Sequence, residues 1–337
     1  MTANGSVLKK FSFGANAEVR AIFALALVFA LGLIFNADGA FFQAGTHRDA
    51  LRQSSVAGIL ACGMTVVILA GGIDLAVGSI LAFTAVSFSM FAIWWSWHPL
   101  AAIVATIGCG MACGLVSGAL TARFRIQPFI ATLAMMVFAR GLAKSISGGV
   151  KVSTALPNPD GSYRSIPLPE IFRGIDSRFA GESISVVTVV FLACAGVCWV
   201  LLARHRFGQY IYAIGGNEEA ARLSGVPVGL TKIAAYAISG IMAAVAGICQ
   251  AAQEQQGDPE AGMGYELTAI AMVVIGGTAL TGGRGGIGLT LLGTITIGYL
   301  EKILSINAVP EANRLMLTGI IIVVAVLTQQ RGGRGAA

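Results

Sequence analysis

The chain has 337 residues, 56% of them hydrophobic and only 11% charged, with a formal net charge of +6. A soluble domain carries about 25% charged residues, so this composition excludes an ordinary globular enzyme and points to a polytopic membrane protein. No basic run interleaved with aromatics occurs, which argues against nucleic acid as a partner.

At the N-terminus, residues 1–19 read as a cytoplasmic leader into the first span. Lys9, Lys10 and Arg20 precede an apolar run, 21–35, and no small-residue cleavage site follows, so the run reads as a retained helix. Apolar segments of about 20 residues can cross the hydrocarbon core. Ten are predicted, at 20–36, 52–71, 79–97, 100–120, 128–146, 183–203, 232–251, 266–282, 287–304 and 312–329. The eighth and ninth are short enough to be re-entrant instead. Lys and Arg in the short loops favour both termini inside, which makes Trp94, Trp95 and Trp97 an outer interfacial belt. The expected fold is an all-α polytopic helical bundle with interrupted helices, forming a single membrane domain over 1–337.

The stretch from Met64 to Phe83 is the most informative. Between Gln53 and Ala122 the one formally charged residue is Asp74, fenced by Gly71, Gly72 and Gly78. A carboxylate in the middle of a membrane helix costs roughly 2.5 to 3.5 kcal/mol on insertion scales, so it should not face lipid. A glycine-flanked break is tolerated in a bilayer only inside protein or beside water. The helix is therefore expected to end at Gly71-Gly72 and restart near Ser79. Asp74 then serves as a helix cap, as a salt-bridge partner, or as a gate or path residue. A faint similarity links this stretch to residues 272–294, which also carry an apolar run, a Gly-Gly pair and a small-residue helix start.

In the fifth predicted span Arg140 and Lys144 lie four apart on one face, and snorkelling to the outer headgroups is their expected role. The extracytoplasmic loop 147–182 is polar and rich in Pro, and its four basic and four acidic residues balance. It reads as a solvated connector or a docking surface. The cytoplasmic loop 204–231 carries a full set of helix punctuation. Asn217 can cap, Glu218 and Glu219 suit the positive end of the helix dipole, Gly225 suits the left-handed position after the end, and Pro227 follows. A helix of about two turns is too short to stand alone in water. Its own membrane domain or another protein must hold it.

Arg284, within Gly282-Gly-Arg-Gly-Gly286, reads as an inner-leaflet anchor or a contact for a cytoplasmic partner. The six cysteines lie in apolar runs and read as buried free thiols, and His47, His98 and His205 fall in predicted loops. No Walker A loop, no zinc-protease motif and no nucleophile elbow occurs. One intramembrane carboxylate is poor provision for a proton or sodium relay. Energy for uphill transport would then come from another subunit.

Five blocks carry a family resemblance: Gly71-Gly-Ile-Asp-Leu-Ala-Val-Gly-Ser79, Gln127-Pro-Phe-Ile-Ala-Thr-Leu133, Phe207 to Asn217, Ala220-Ala-Arg-Leu-Ser-Gly-Val226, and the Gly-rich run 276–285. In this order they resemble the permease subunits of ribose- and xylose-type ABC sugar importers, over nearly the whole chain. Ala76 and the Pro-containing 147–183 loop depart from the family's pattern. The resemblance implies a bacterial inner-membrane permease, homodimeric (sometimes heterodimeric), that is not catalytic by itself. It also implies two cytoplasmic ATPase subunits carrying ATP and Mg, and a periplasmic sugar-binding protein. Residues 217–225 would be the coupling helix, with Asn217, Glu218, Glu219, Ala220, Ala221, Arg222, Leu223 and Gly225 at the ATPase. Gly71, Gly72, Asp74, Gly78, Gln250, Gln253 and Arg284 are the expected path or gate residues, and no cofactor or metal is expected in this chain. Permeases for branched-chain amino acids or nucleosides, and an ATP-independent secondary carrier, are the alternative readings.

Overall fold

The computed structural model describes residues 17–157, 163–310, 312–320 and 323. Eight helices among the described residues are long and apolar enough to cross a membrane. They are α1 (Ala17–Ile34), α2 (Ala44–Leu69), α3 (Val77–Ser89, prolonged by a π-helical turn, Met90–Trp94), α4 (Pro99–Ala122), α5 (Pro128–Ile146), α7 (Val186–Arg204), α10 (Val228–Glu254) and α12 (Ile287–Ile306). Between them lie the shorter α6 (Glu170–Asp176), α8 (Arg206–Gly216), α9 (Glu218–Leu223) and α11 (Tyr265–Gly276). The multi-pass helical bundle expected from composition is therefore present.

One of the ten predicted spans needs correction, and another is described only in part. The eighth, 266–282, is only the 12-residue α11, about 18 Å long at 1.5 Å per residue and short of the roughly 30 Å of hydrocarbon. Gly277, at φ +108°, ends it in the left-handed region. Of the tenth, 312–329, residues 312–320 are helical and the greater part of the rest lies outside the described residues. The first 16 residues also lie outside them.

At the centre stand α2 and α3. Every residue of α3 from Val77 to Ser89 is buried, as is α2 from Ser54 to Leu69. Helices apolar on all sides belong in the interior of a bundle, and neither carries a charge along those stretches. α4 crosses α10 at close range through a small-residue row, Gly110, Gly114 and Gly118. A Cβ built on Gly114 would overlap the Tyr236 carbonyl, and one on Gly118 would stand 2.7 Å from the Ile233 Cα. Without a lipid-excluding force between helices, this backbone proximity is what gives dispersion contact its strength.

The loop after α5 is more ordered than its polarity suggests. It holds α6 and two short antiparallel hairpins, β1 (Ala155–Pro157) with β2 (Tyr163–Ser165) and β3 (Arg178–Phe179) with β4 (Ile184–Ser185). Phe172 of α6 is fully buried and stacks on Phe88 of α3, with ring centroids 5.0 Å apart. Three of its described charges pair outside the loop: Lys151 with Asp258, Arg178 with Asp49, and Asp176 with Arg52. The expectation of a merely solvated connector is thus corrected. His47 is likewise not in a loop; it lies in α2 with Nδ1 3.2 Å from the Tyr299 hydroxyl. His98 and His205 accept hydrogen bonds from Leu100 and Phe207 at the starts of α4 and α8. The six cysteines are free, Cys109 half-buried and the rest buried.

Candidate functional site

The break after α2 is where the glycines placed it. The helix stops at Leu69, Gly71 takes φ +77°, and α3 starts at Val77, two residues earlier than expected. Gly72 has no room for a side chain: a Cβ there would meet the Tyr236 hydroxyl at 2.5 Å. Asp74 is wholly buried. Its Oδ1 accepts from the Ala76 N–H at 3.0 Å and its Oδ2 from the Ser239 hydroxyl of α10 at 2.7 Å. The cap position of α3 is Ala76, not Asp74, so Asp74 braces the turn just before the helix rather than capping it, and no ion pair to Asp74 occurs among the described residues.

Ser239 also packs against α2, its Cα 3.0 Å from where a Cβ on Gly63 would stand. Asp74 is therefore level with Gly63, about 9 Å back along α2 from Leu69 at 1.5 Å per residue. After leaving α2 the chain turns back into the bundle, and α3 begins buried within it. Irregular backbone there is tolerable because protein surrounds it. Gly78 lets α3 start against the segment that joins α10 to α11: a Cβ on it would overlap the Gly262 carbonyl and meet Glu266 Oε2 at 2.5 Å.

The second break, between α11 and α12, closes on itself. The Ala279 N–H donates to the Arg284 carbonyl at 2.9 Å, and the Gly286 N–H donates to Thr278 Oγ1 at 3.3 Å. Its tip reaches the first break, where the Gly283 N–H donates to the Leu69 carbonyl at 3.0 Å. The faint likeness between the two stretches thus corresponds to two interrupted helices whose interruptions touch. Arg284 is exposed beside this contact.

The segment between α8 and α10 forms the helix its punctuation predicted. Asn217 Oδ1 accepts from the Ala220 N–H at 3.0 Å, and Glu218 and Glu219 fill the first turn of α9. At the other end the Val226 N–H donates to the Ala221 carbonyl and the Gly225 N–H to that of Arg222, both at 3.0 Å, with Gly225 at φ +82°. These two bonds satisfy carbonyls the helix leaves open. The bundle itself holds the helix. Ala221 packs with Ile214, Val226 and Val228, and Lys232 Nζ of α10 lies 2.6 Å from Glu218 Oε2. Arg222 adds a 3.1 Å pair to Glu218. Partial burial pushes the Glu218 carboxyl up, but Lys232 and Arg222 outweigh it and hold it below the usual carboxylate range. Leu223 is left 81% exposed at the tip, an apolar side chain that the described residues do not cover. Beside it a polar cleft of about 530 Å³ opens between α9 and the α4–α5 turn, lined by Arg125, Gln127, Glu218, Arg222 and Lys232.

Gln250 and Gln253 do not join these residues. They lie near the far end of α10, Gln253 about 38 Å along the helix from Val228 at 1.5 Å per residue. Gln250 donates to Glu254 Oε1 at 2.5 Å, and the buried Gln253 Nε2 has no hydrogen-bond partner among the described residues. Arg140 and Lys144 are not free to snorkel. Arg140 Nη1 donates to the Pro259 and Ala261 carbonyls, both at 2.8 Å, and Lys144 pairs with Glu260 at 2.8 Å. Ser239, Tyr236 and Gly215, which shape the breaks, escape sequence reasoning. A lone Ser or Tyr within an apolar helix and one Gly among 44 give no local signal.

The family described as "Branched-chain amino acid transport system / permease component" matches residues 48–326, from α2 through α12 and beyond. The chain belongs to it. The ribose import permease protein of Escherichia coli (strain K12) is 39% identical, over 91% of this chain and 92% of the relative. The fructose import permease protein of Rhizobium meliloti is 32% identical over 96% of this chain and 88% of the relative. The xylose transport system permease protein of Escherichia coli (strain K12) is 31% identical over 95% and 93%. No solved structure matches the chain. The matched region of this permease contains both breaks and the capped helix α9, so the site lies within what defines the family.

Proposed function

We propose that this chain is the membrane permease of an ATP-driven importer of a monosaccharide or related polyol, of the ribose, xylose, galactose or inositol class. It works as a dimer in a bacterial inner membrane, with cytoplasmic ATPase subunits that carry ATP and Mg and a periplasmic sugar-binding protein. The observation that carries the sugar reading is the 39% identity, over 91% of the chain, to a ribose import permease. The family's description alone would favour a branched-chain amino acid, and the uptake panel below decides between them.

In this reading α9 is the part that the ATPase moves. Its caps keep it helical, its ties to α10 make it rigid with the bundle, and the exposed Leu223 offers the apolar anchor that a docking groove would bury. Buried apolar anchors dominate interface energetics. ATP-driven closure of the ATPase pair would push the two α9 helices and rock the bundle between outward- and inward-open arrangements. A solute that must also leave is best held by weak, replaceable hydrogen bonds, which suits sugar hydroxyls. The glutamines near the outer end of α10 and the glycine breaks are the expected lining and gate.

Membrane vesicles containing the assembled importer, offered labelled ribose, xylose, fructose, galactose, inositol, leucine and uridine, should accumulate one of the sugars or polyols in an ATP-dependent way. Accumulation of leucine or uridine alone would overturn the sugar assignment. Leu223→Arg and Glu219→Lys should insert normally yet lose retention of the ATPase on co-purification. Full retention in both would remove α9 as the docking element.

A further inference from the structure

Three stretches of backbone meet without side chains on the side of the bundle that carries α9. The first is the end of α2, whose Leu69 carbonyl accepts from the Gly283 N–H. The second is the loop tip itself, where Gly282 and Gly283 take φ +87° and +68°. The third is the last turn of α8, where Gly215 lies against both of the others. A Cβ built on Gly215 would overlap the Leu69 carbonyl oxygen and the Gly283 nitrogen. A Cβ on Gly282 would stand 3.0 Å from the Gly215 Cα and 3.0 Å from the Gly71 nitrogen. One turn back in α8, the Tyr212 hydroxyl donates to the Gly285 carbonyl at 3.0 Å. Immediately beyond Gly216 comes Asn217, the cap of α9.

The contact has a mechanical meaning. Side chains absorb small displacements by changing rotamer, whereas touching backbones cannot. A shift of the α8–α9 unit must therefore be passed to Leu69 and Gly283, or break the bond between them. One receiving point is the end of α2 and the other is the loop between α11 and α12, where chain can swing without dismantling a helical ladder.

We propose that Gly215 is the positioning residue through which movement of α9 reaches both interrupted helices at once, with Tyr212 as its second tie. This rests on the proposed function, because it takes α9 to be the part that the ATPase drives. The glycine is needed for contact, not for turn formation: Gly215 lies inside α8 and has no positive φ.

The test uses the whole importer, permease with its ATPase and binding protein, in proteoliposomes supplied with whichever labelled sugar the uptake panel selects. Four quantities are read: ATPase retained on the permease, basal ATP hydrolysis, its stimulation by sugar-loaded binding protein, and sugar moved per ATP. Gly215→Ala should retain the ATPase and basal hydrolysis. It should lose stimulation and move less sugar per ATP by about tenfold or more, within the range typical of coupling between sites. Tyr212→Phe removes one hydroxyl without adding bulk and should show a smaller loss of the same kind. Gly196→Ala on the exposed side of α7, where an added Cβ meets nothing within 4 Å, should behave as the parent. Parental sugar per ATP in both Gly215→Ala and Tyr212→Phe would overturn the proposal. Should Gly215→Ala fail to insert, Tyr212→Phe decides alone: a loss of coupling supports the proposal and parental coupling overturns it. Failure of the underlying function shows up separately, as Leu223→Arg permease that still retains its ATPase.

Discussion

Ser239 of α10 donates a 2.7 Å hydrogen bond to Asp74, so a residue in the first break is held by a helix 165 positions further along the chain. The carboxylate has two partners, the Ser239 hydroxyl and the Ala76 N–H, and both are buried with it. Asp74→Ala would leave each without an acceptor, and a buried donor left unsatisfied costs about 1–3 kcal/mol. Asp74→Asn keeps one oxygen that can accept. The expected order of unfolding temperature in detergent is parent, then Asp74→Asn, then Asp74→Ala. An Asp74→Ala protein as heat-resistant as the parent would show that these two bonds are dispensable.

The crossing of α4 over α10 predicts a steep dependence on side-chain size. Gly114 sits where any Cβ overlaps the Tyr236 carbonyl, so even Ala must push the two helices apart. Overpacking of this kind costs roughly 1–3 kcal/mol for added methylenes in a well-packed core. Gly114→Ala should lower the yield of monodisperse protein in size-exclusion chromatography, and Gly114→Leu should abolish it. At Gly108, where an added Cβ meets nothing within 4 Å, Gly108→Ala should leave the elution profile unchanged.

At the end of the bundle away from α9, Lys151 Nζ lies 2.9 Å from Asp258 Oδ2, and the Glu260 N–H donates to Asp258 Oδ1 at 2.8 Å. Partial burial raises the Asp258 carboxyl, but the bonds from Glu260 and Lys151 outweigh this and hold it below its ordinary value. The hydrogen bond and charge of Asp258 raise the Lys151 ammonium. A depressed carboxyl stabilises the fold above its unfolded pKa, about 3.9, and loses that contribution as pH falls through the lower folded value. A raised ammonium contributes below its unfolded pKa, about 10.4, and loses it as pH rises through the higher folded value. Protection of the 255–264 loop should thus be flat from about pH 5 to 9 and fall at either extreme. Hydrogen exchange corrected for intrinsic rates measures it. Asp258→Asn should abolish the acid step, and a step that persists in that variant would place its origin elsewhere.

Arg140 gives two hydrogen bonds to one loop, at the Pro259 and Ala261 carbonyls. Arg140→Met keeps much of the stem and removes both donors. The loop should then exchange faster and the protein should unfold earlier, by about 1–3 kcal/mol for carbonyls left unpaired. If exchange in 255–264 is unaltered, the guanidinium is not what pins the loop.

Features set by neighbours in sequence are legible in the residues themselves. The break at Gly71-Gly72 and both ends of α9 depend on local backbone demands, so Gly71, Asn217 and Gly225 announce them. Features set by partners far along the chain are not. Nothing near Arg140 says that two carbonyls 119 and 121 residues later await it. Nothing near Phe172 says that a polar loop will plant an aromatic ring against Phe88. The short α11 reads as a span because its apolar run continues past Gly276, while its left-handed C-terminal glycine stops the helix itself. Polarity alone groups Gln250 and Gln253 with the break residues, and helix length sets them far apart.

The glycine row of α4 has one more consequence. Because Gly110, Gly114 and Gly118 bring main chain against main chain, that seam has no springs in it: α4 and α10 must travel as a single strut. Spin labels placed on their lipid-facing sides should keep the same separation through the whole transport cycle, while labels spanning the two breaks change theirs.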